Sequence, residues 1–216
     1  QVKPQALVEW YRHVRGVTEE LCSPLEVEDF VLQSMPDASP VRWHLAHSTW
    51  FFETFLLQPH VPSHRSPSEA YHHLFNSYYQ GVGSPFERSR RGLLSRPTVR
   101  EVRGYRELVD RSVCDLLEAA EPEQFAVLEP IVTLGVHHEQ QHQELLLTDL
   151  KHAFSLNPLW PSYVQEGASQ GGPDGEDGGS ESPAISVAGG LAAVGRAGDG
   201  FCFDNELPAH EVWLRD

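Results

Sequence analysis

Along the first 160 residues, apolar side chains recur every three or four positions, the period of a helix with one buried face. Leu7, Trp10, Tyr11, Val14 and Val17 mark a first helix that ends near Cys22-Ser23-Pro24. A short helix is expected over Glu26–Met35, closed by the Pro36 turn, and a long one from about Val41 to Leu57. Thr98 and Glu101 have the S/T-x-x-E spacing of a capping box and open a third long helix, reaching about Ala120. A fourth runs from about Ala126 to Leu156. It stops at Asn157-Pro158, because a residue ahead of proline avoids helical angles. Residues 59–97 form one long connection rich in Pro, Gly, Ser and aromatics, the kind that tends to carry function. Four long helices with such a crossover predict a mainly α protein built as a four-helix bundle.

After residue 165 the pattern breaks. Residues 166–183, EGASQGGPDGEDGGSESP, have too little apolar content to pack and read as a flexible acidic linker. The closing stretch, AISVAGGLAAVGRAGDGFCFDNELPAHEVWLRD, has β-branched residues, glycines and turn signals, so it reads as strands and loops. At about 33 residues it is too short to bury a core by itself. The expected organisation is a bundle over 1–165, a linker over 166–183, and over 184–216 either the opening of a second domain or a tail docked on the bundle.

Composition narrows the partners. With 40% hydrophobic residues in 216, the chain can bury a sizeable core. The formal net charge of −15 argues against nucleic acid or an anionic membrane surface. No apolar run is long enough to span a bilayer, and no signal peptide is visible. The three cysteines, Cys22, Cys114 and Cys202, are widely separated and form no CxxC, which favours a reduced, cytoplasmic setting.

The densest chemical signal is HHEQQHQELL, residues 137–146. On a helical wheel Gly135, His138, His142, Leu145 and Asp149 fall on one stripe, so His138 and His142 project side by side. This H-x-x-x-H spacing lets two imidazoles of one helix grip one metal ion. His137 points about 100° away and is the poorer candidate. The second long helix offers His44 and His47 on neighbouring faces of RWHLAHSTWFFE. His47 shares a stripe with Trp43, Trp50 and Thr54 and is the better third ligand. Three neutral histidines leave coordination positions open, as catalytic sites do. Imidazoles suit zinc, iron, nickel and copper alike, so spacing does not choose the metal.

Eight of the sixteen basic residues lie between positions 88 and 111, and all eight are arginine. Arg100, Arg103, Arg106 and Arg111 read as a solvated helix face paired with Glu101, Glu107 and Asp110. Arg88 and Arg91 sit in ERSRRGLLSRP, at the end of the long connection, where a guanidinium fork can hold a carboxylate. The aromatic run LFNSYYQGVG, with Phe75, Tyr78 and Tyr79, reads first as a loop packed over the bundle end.

Four of these stretches, VRWHLAHSTWFFETFLL, FNSYYQGVG, RSRRGLLSRPTV and HHEQQHQELLLTDLKHAF, together resemble the amino-terminal DinB-like domain of ergothioneine-type sulfoxide synthases, the hercynine oxygenases. The closing GFCFDNELPAHEVWL is similar to the start of the formylglycine-generating-enzyme-like (sulfatase-modifying-factor) domain that follows in those enzymes. The resemblance implies one non-haem iron(II) on His47, His138 and His142. It implies an O2-dependent union of a thiol, cysteine or γ-glutamylcysteine, with the imidazole C2 of hercynine. It places Arg88 and Arg91 on the thiol's carboxylate, and Gln141 beside the metal on the substrate imidazole. Glu144 and Asp149 are candidates to orient ligand N–H groups. In that family the second domain supplies much of the pocket and a catalytic tyrosine, and here it stops at Asp216. Zinc-dependent DinB-like thiol S-transferases, ovothiol- and selenoneine-forming relatives, and a non-catalytic metal-stabilised bundle are the alternative readings.

Overall fold

The computed structural model describes residues 3–164 and 185–215, and the proposed linker lies outside the described residues. The chain divides into two compact units, Gln1–Gln165 and Glu166–Asp216.

The first unit is helical. Helix α1 spans Pro4–Cys22, with proline in its first turn, where a missing N–H costs nothing. Helix α2 spans Val41–Phe52, runs through one π-helical turn at Glu53–Leu57, and ends as α3, Gln58–His60. A short α4, Tyr71–Leu74, lies within the crossover. Helix α5 spans Val99–Ala119 and opens on the expected capping box. Thr98 Oγ1 accepts from the Glu101 N–H at 3.2 Å, and the Glu101 carboxylate accepts from the Thr98 N–H at 2.7 Å. Helix α6 spans Pro122–Leu156 and ends on Asn157 as the pattern predicted. Its start is four residues ahead of the expected Ala126, because Pro122 occupies the first turn with Glu121 in extended geometry ahead of it.

The four long helices close a bundle in which α1 and α2 each pack on both α5 and α6. Tyr11, Trp50, Phe52, Tyr105, Leu117 and Leu128 fill its centre and are almost wholly buried. Gly135 on α6 permits close approach. A Cβ there would collide with Phe52 Cε1 and lie 2.9 Å from Phe51 Cε1. This one position brings α6 tightly against α2.

One expected element is absent. Glu26–Met35 forms no helix beyond a single 3-10 turn at Asp29–Val31. The Asp29 carboxylate takes the Glu26 N–H at 2.9 Å, and Phe30 is the buried anchor, while Val27, Leu32 and Met35 are exposed. A single anchored side chain does not offset the cost of nucleating ten residues of helix.

The second unit contains an antiparallel pair, β1 Gly190–Val194 and β2 His210–Leu214, in register at Ala192↔Val212. Strands and loops are what the sequence pattern predicts there. Gly195 turns the chain at φ +92°, where a Cβ would crowd the carbonyls of Glu206 and Pro208 at 3.0 Å.

Candidate metal centre

The stripe on α6 and the aromatic face of α2 meet. One nitrogen from each of His47, His138 and His142 falls within a common 4.8 Å span. Their ring centroids are 4.6 to 4.9 Å apart. The structure thus brings together the three histidines that the wheel selected. His137 lies elsewhere, with its ring edge on Trp10.

Each imidazole is prepared differently. His47 Nδ1 donates to the Phe75 carbonyl at 2.6 Å; a carbonyl only accepts, so the ring proton sits on Nδ1 and Nε2 carries the lone pair. His47 lies between Trp43, stacked at 4.5 Å and 12°, and Trp50 at 5.6 Å. His138 Nε2 is 3.2 Å from His47 Nε2, and its buried Nδ1 has no hydrogen-bond partner among the described residues. His142 Nδ1 meets His44 Nδ1 at 2.9 Å, which leaves Nε2 as the nitrogen available to a ligand.

Burial makes these rings neutral. It pushes His47 and His142 well below the ordinary histidine value, with the neighbouring imidazoles adding to the effect. It brings His138 down to about 4. Neutral imidazoles with inward lone pairs are good ligands and poor neighbours for one another without a cation between them. Two nitrogens each about 2.1 Å from one ion, at angles from square to tetrahedral, stand roughly 3.0–3.4 Å apart. The His47–His138 separation of 3.2 Å fits that range. The donor set therefore suits a divalent transition metal bound by three nitrogens with positions left open.

The surroundings are aromatic on one side and cationic on another. Phe51 leans on His138 at 4.9 Å and also lines an apolar recess of about 390 Å³ with Phe55, Tyr79, Ile131 and Leu134. Arg91 is buried, with its guanidinium 3.4 Å from the centre of the Trp43 ring. Its Nη1 donates to Ser39 Oγ at 2.9 Å, and its Nε has no partner among the described residues. Burial, then the nearby Arg88 charge, bring its guanidinium down to about 9. Arg88 opens the same 3-10 turn, Arg88–Leu93, and is exposed. The Arg88 charge is near enough to bear on the Arg91 guanidinium. Gln141 is exposed on α6, and Glu144 is exposed as well. Asp149 faces inward but reaches His44 rather than a ligand candidate, with its Oδ2 3.1 Å from His44 Nε2.

The arginine face of α5 departs from the sequence reading. Arg106 is buried, not solvated. Its Nη2 donates to Glu139 Oε1 at 2.6 Å, and its Nε meets Glu19 at 3.0 Å. Arg103 also turns to Glu19. Asp110 serves Arg15 and Tyr11, each at 2.6 Å. Glu139, one residue past His138, is 1% exposed and also accepts from Arg15 Nη1 at 2.8 Å and Thr18 Oγ1 at 2.7 Å. The sequence reading missed this network because its partners lie on α1, α5 and α6, far apart in the chain. The Phe75 carbonyl was also missed. Its position depends on Asn76, whose Oδ1 takes the Tyr79 N–H at 2.9 Å and whose Nδ2 donates to the Gly83 carbonyl at 3.0 Å. An Asn heading Asn-Ser-Tyr-Tyr was the local signal for that turn.

Among the described residues no helix is long and apolar enough to cross a membrane. No curated protein matches the chain. Residues 11–146, which carry all three histidines, match the family model described as the DinB superfamily, whose members are often metal-dependent enzymes. That match covers more than half of the 216 residues, so the chain belongs to the DinB superfamily.

Proposed function

We propose that this chain is the metal-binding part of an oxygen-dependent, non-haem iron(II) sulfoxide synthase of the ergothioneine type. The observation that carries the reading is the junction of three neutral imidazoles with a buried, incompletely paired guanidinium across one indole ring. Imidazole ligands without a thiolate or carboxylate in the set suit iron(II) and leave positions for small ligands. When bound, iron supplies open coordination positions and one-electron chemistry towards O2 and a thiolate.

The overall change balances as thiol plus hercynine plus O2 giving the sulfoxide plus one water. O2 accepts four electrons, and one of its oxygen atoms stays on sulfur. The chain's own residues bind and orient. Arg91, with Arg88 beside it, takes the thiol's carboxylate through a guanidinium fork. Gln141 hydrogen-bonds the substrate imidazole from the flank of α6. Trp43, Trp50 and Phe51 keep water from the histidine side. The closing stretch, residues 184–216, is read by its sequence as the opening of a formylglycine-generating-enzyme-like domain.

The test is the metal content of anaerobically purified protein, followed by thiol-dependent O2 uptake with hercynine present. About one iron per chain with uptake supports the reading. Zinc bound in its place, with no uptake after reconstitution with iron, overturns it in favour of a thiol S-transferase of the same superfamily.

A further inference from the structure

We propose that His44 is a positioning residue of this centre: braced by Asp149, it locks His142 in the tautomer and ring orientation that presents Nε2 to a metal. The inference rests on the metal-centre reading above and concerns a residue outside the ligand set.

Proton accounting leads to it. His44 Nδ1 and His142 Nδ1 stand 2.9 Å apart, so one of the two must carry the shared hydrogen. His44 Nε2 faces Asp149 Oδ2 at 3.1 Å, and a carboxylate only accepts. A neutral His44 has one ring hydrogen. If that hydrogen sits on Nε2 it satisfies Asp149, and Nδ1 becomes an acceptor. His142 must then hold its own hydrogen on Nδ1, leaving the Nε2 lone pair free. The reverse order sets the His44 Nε2 lone pair against the carboxylate and puts hydrogen on the ligating nitrogen of His142. The first arrangement satisfies every group with neutral rings.

The brace is itself held. Asp149 Oδ2 also accepts the Ser39 N–H at 2.8 Å, and Ser39 Oγ accepts from Arg91. Trp43 lies edge-on to the His44 ring at 5.8 Å, and its indole N–H is tied to the Leu74 carbonyl at 3.0 Å. His44 is 3% exposed, so water does not take over its role. A ligand imidazole whose second nitrogen is held in this way keeps its tautomer, and losing such a partner typically weakens metal affinity about 10–100-fold.

The experiment compares the full chain with His44→Leu and His44→Gln. Histidine-labelled, metal-free protein reports the His142 tautomer in two-bond proton–nitrogen spectra, and zinc competition against a chromophoric chelator reports affinity. The unchanged protein should show only the Nδ1–H form of His142. His44→Leu, which fills space without accepting, should show the Nε2–H form appearing and affinity falling about 10–100-fold. His44→Gln, whose carbonyl can accept the hydrogen, should recover part of both. Should His44→Leu fail to fold, Asp149→Leu serves, since it removes the acceptor that holds the His44 hydrogen on Nε2. It should move tautomer and affinity the same way. An unchanged His142 tautomer with zinc bound at full strength overturns the proposal alone. An unchanged protein that binds no zinc removes the metal centre and this proposal together.

Discussion

Glu139→Gln is the substitution whose cost the structure sets most directly. The carboxylate is 1% exposed and accepts from Arg15, Arg106 and Thr18 at 2.6 to 2.8 Å. Burial works against its charge, but Arg106 and Arg15 outweigh that and bring the carboxyl to about 2 from an ordinary 4.5. A group so held contributes about 3 kcal/mol to folding at neutral pH. Removing one member of a buried ion network also leaves uncompensated charge, an independent route to about 3–5 kcal/mol. The folded value is depressed, so the contribution is fully present above the unfolded value of 4.5 and fades as pH falls towards 2. Urea unfolding of the metal-free chain, followed by circular dichroism, should therefore show the variant about 3–5 kcal/mol less stable at pH 7. The gap should narrow by about 2 kcal/mol at pH 3, where most of the unfolded chain's Glu139 is protonated. A gap below about 1 kcal/mol at pH 7, or one that ignores pH, refutes the reasoning.

Other substitutions probe the centre and its supports. His138→Ala or His142→Ala should abolish stoichiometric metal binding, read by metal analysis after dialysis, and full occupancy in either would remove the ligand assignment. Gly135→Ala places a methyl against Phe52 and Phe51; about 1–3 kcal/mol of overpacking exceeds the roughly 1 kcal/mol gained in helix propensity, so denaturant titration should show a net loss. Arg88→Ala should weaken cysteine binding in calorimetry with metal content intact, and an unchanged affinity would remove Arg88 from the carboxylate clamp.

How much of this was legible beforehand depends on how local each feature is. The capping box at Thr98 and Glu101 and the stop at Asn157 act through neighbouring residues, and both stand as read. The helix expected over Glu26–Met35 is missing because, apart from Phe30, its apolar residues are outward-facing, and sequence spacing does not say which way they face. The reading of Arg106 as a solvated residue failed for a related reason. Its carboxylate partners are Glu139 on α6 and Glu19 on α1, not the acids one turn along its own helix.

The candidate site divides in the same way. The sequence alone determined that His138 and His142 share a face, because 3.6 residues per turn leaves no other placement within one helix. It also singled out His47 by its stripe on α2. Only the tertiary structure decided that these faces meet, that Phe75 lends its carbonyl to His47, and that His44 bridges His142 to Asp149. Periodicity reports which side of a helix is buried. Which side of which neighbour it is buried against follows from close packing among all four helices, and Gly135 sets how near α6 comes to α2.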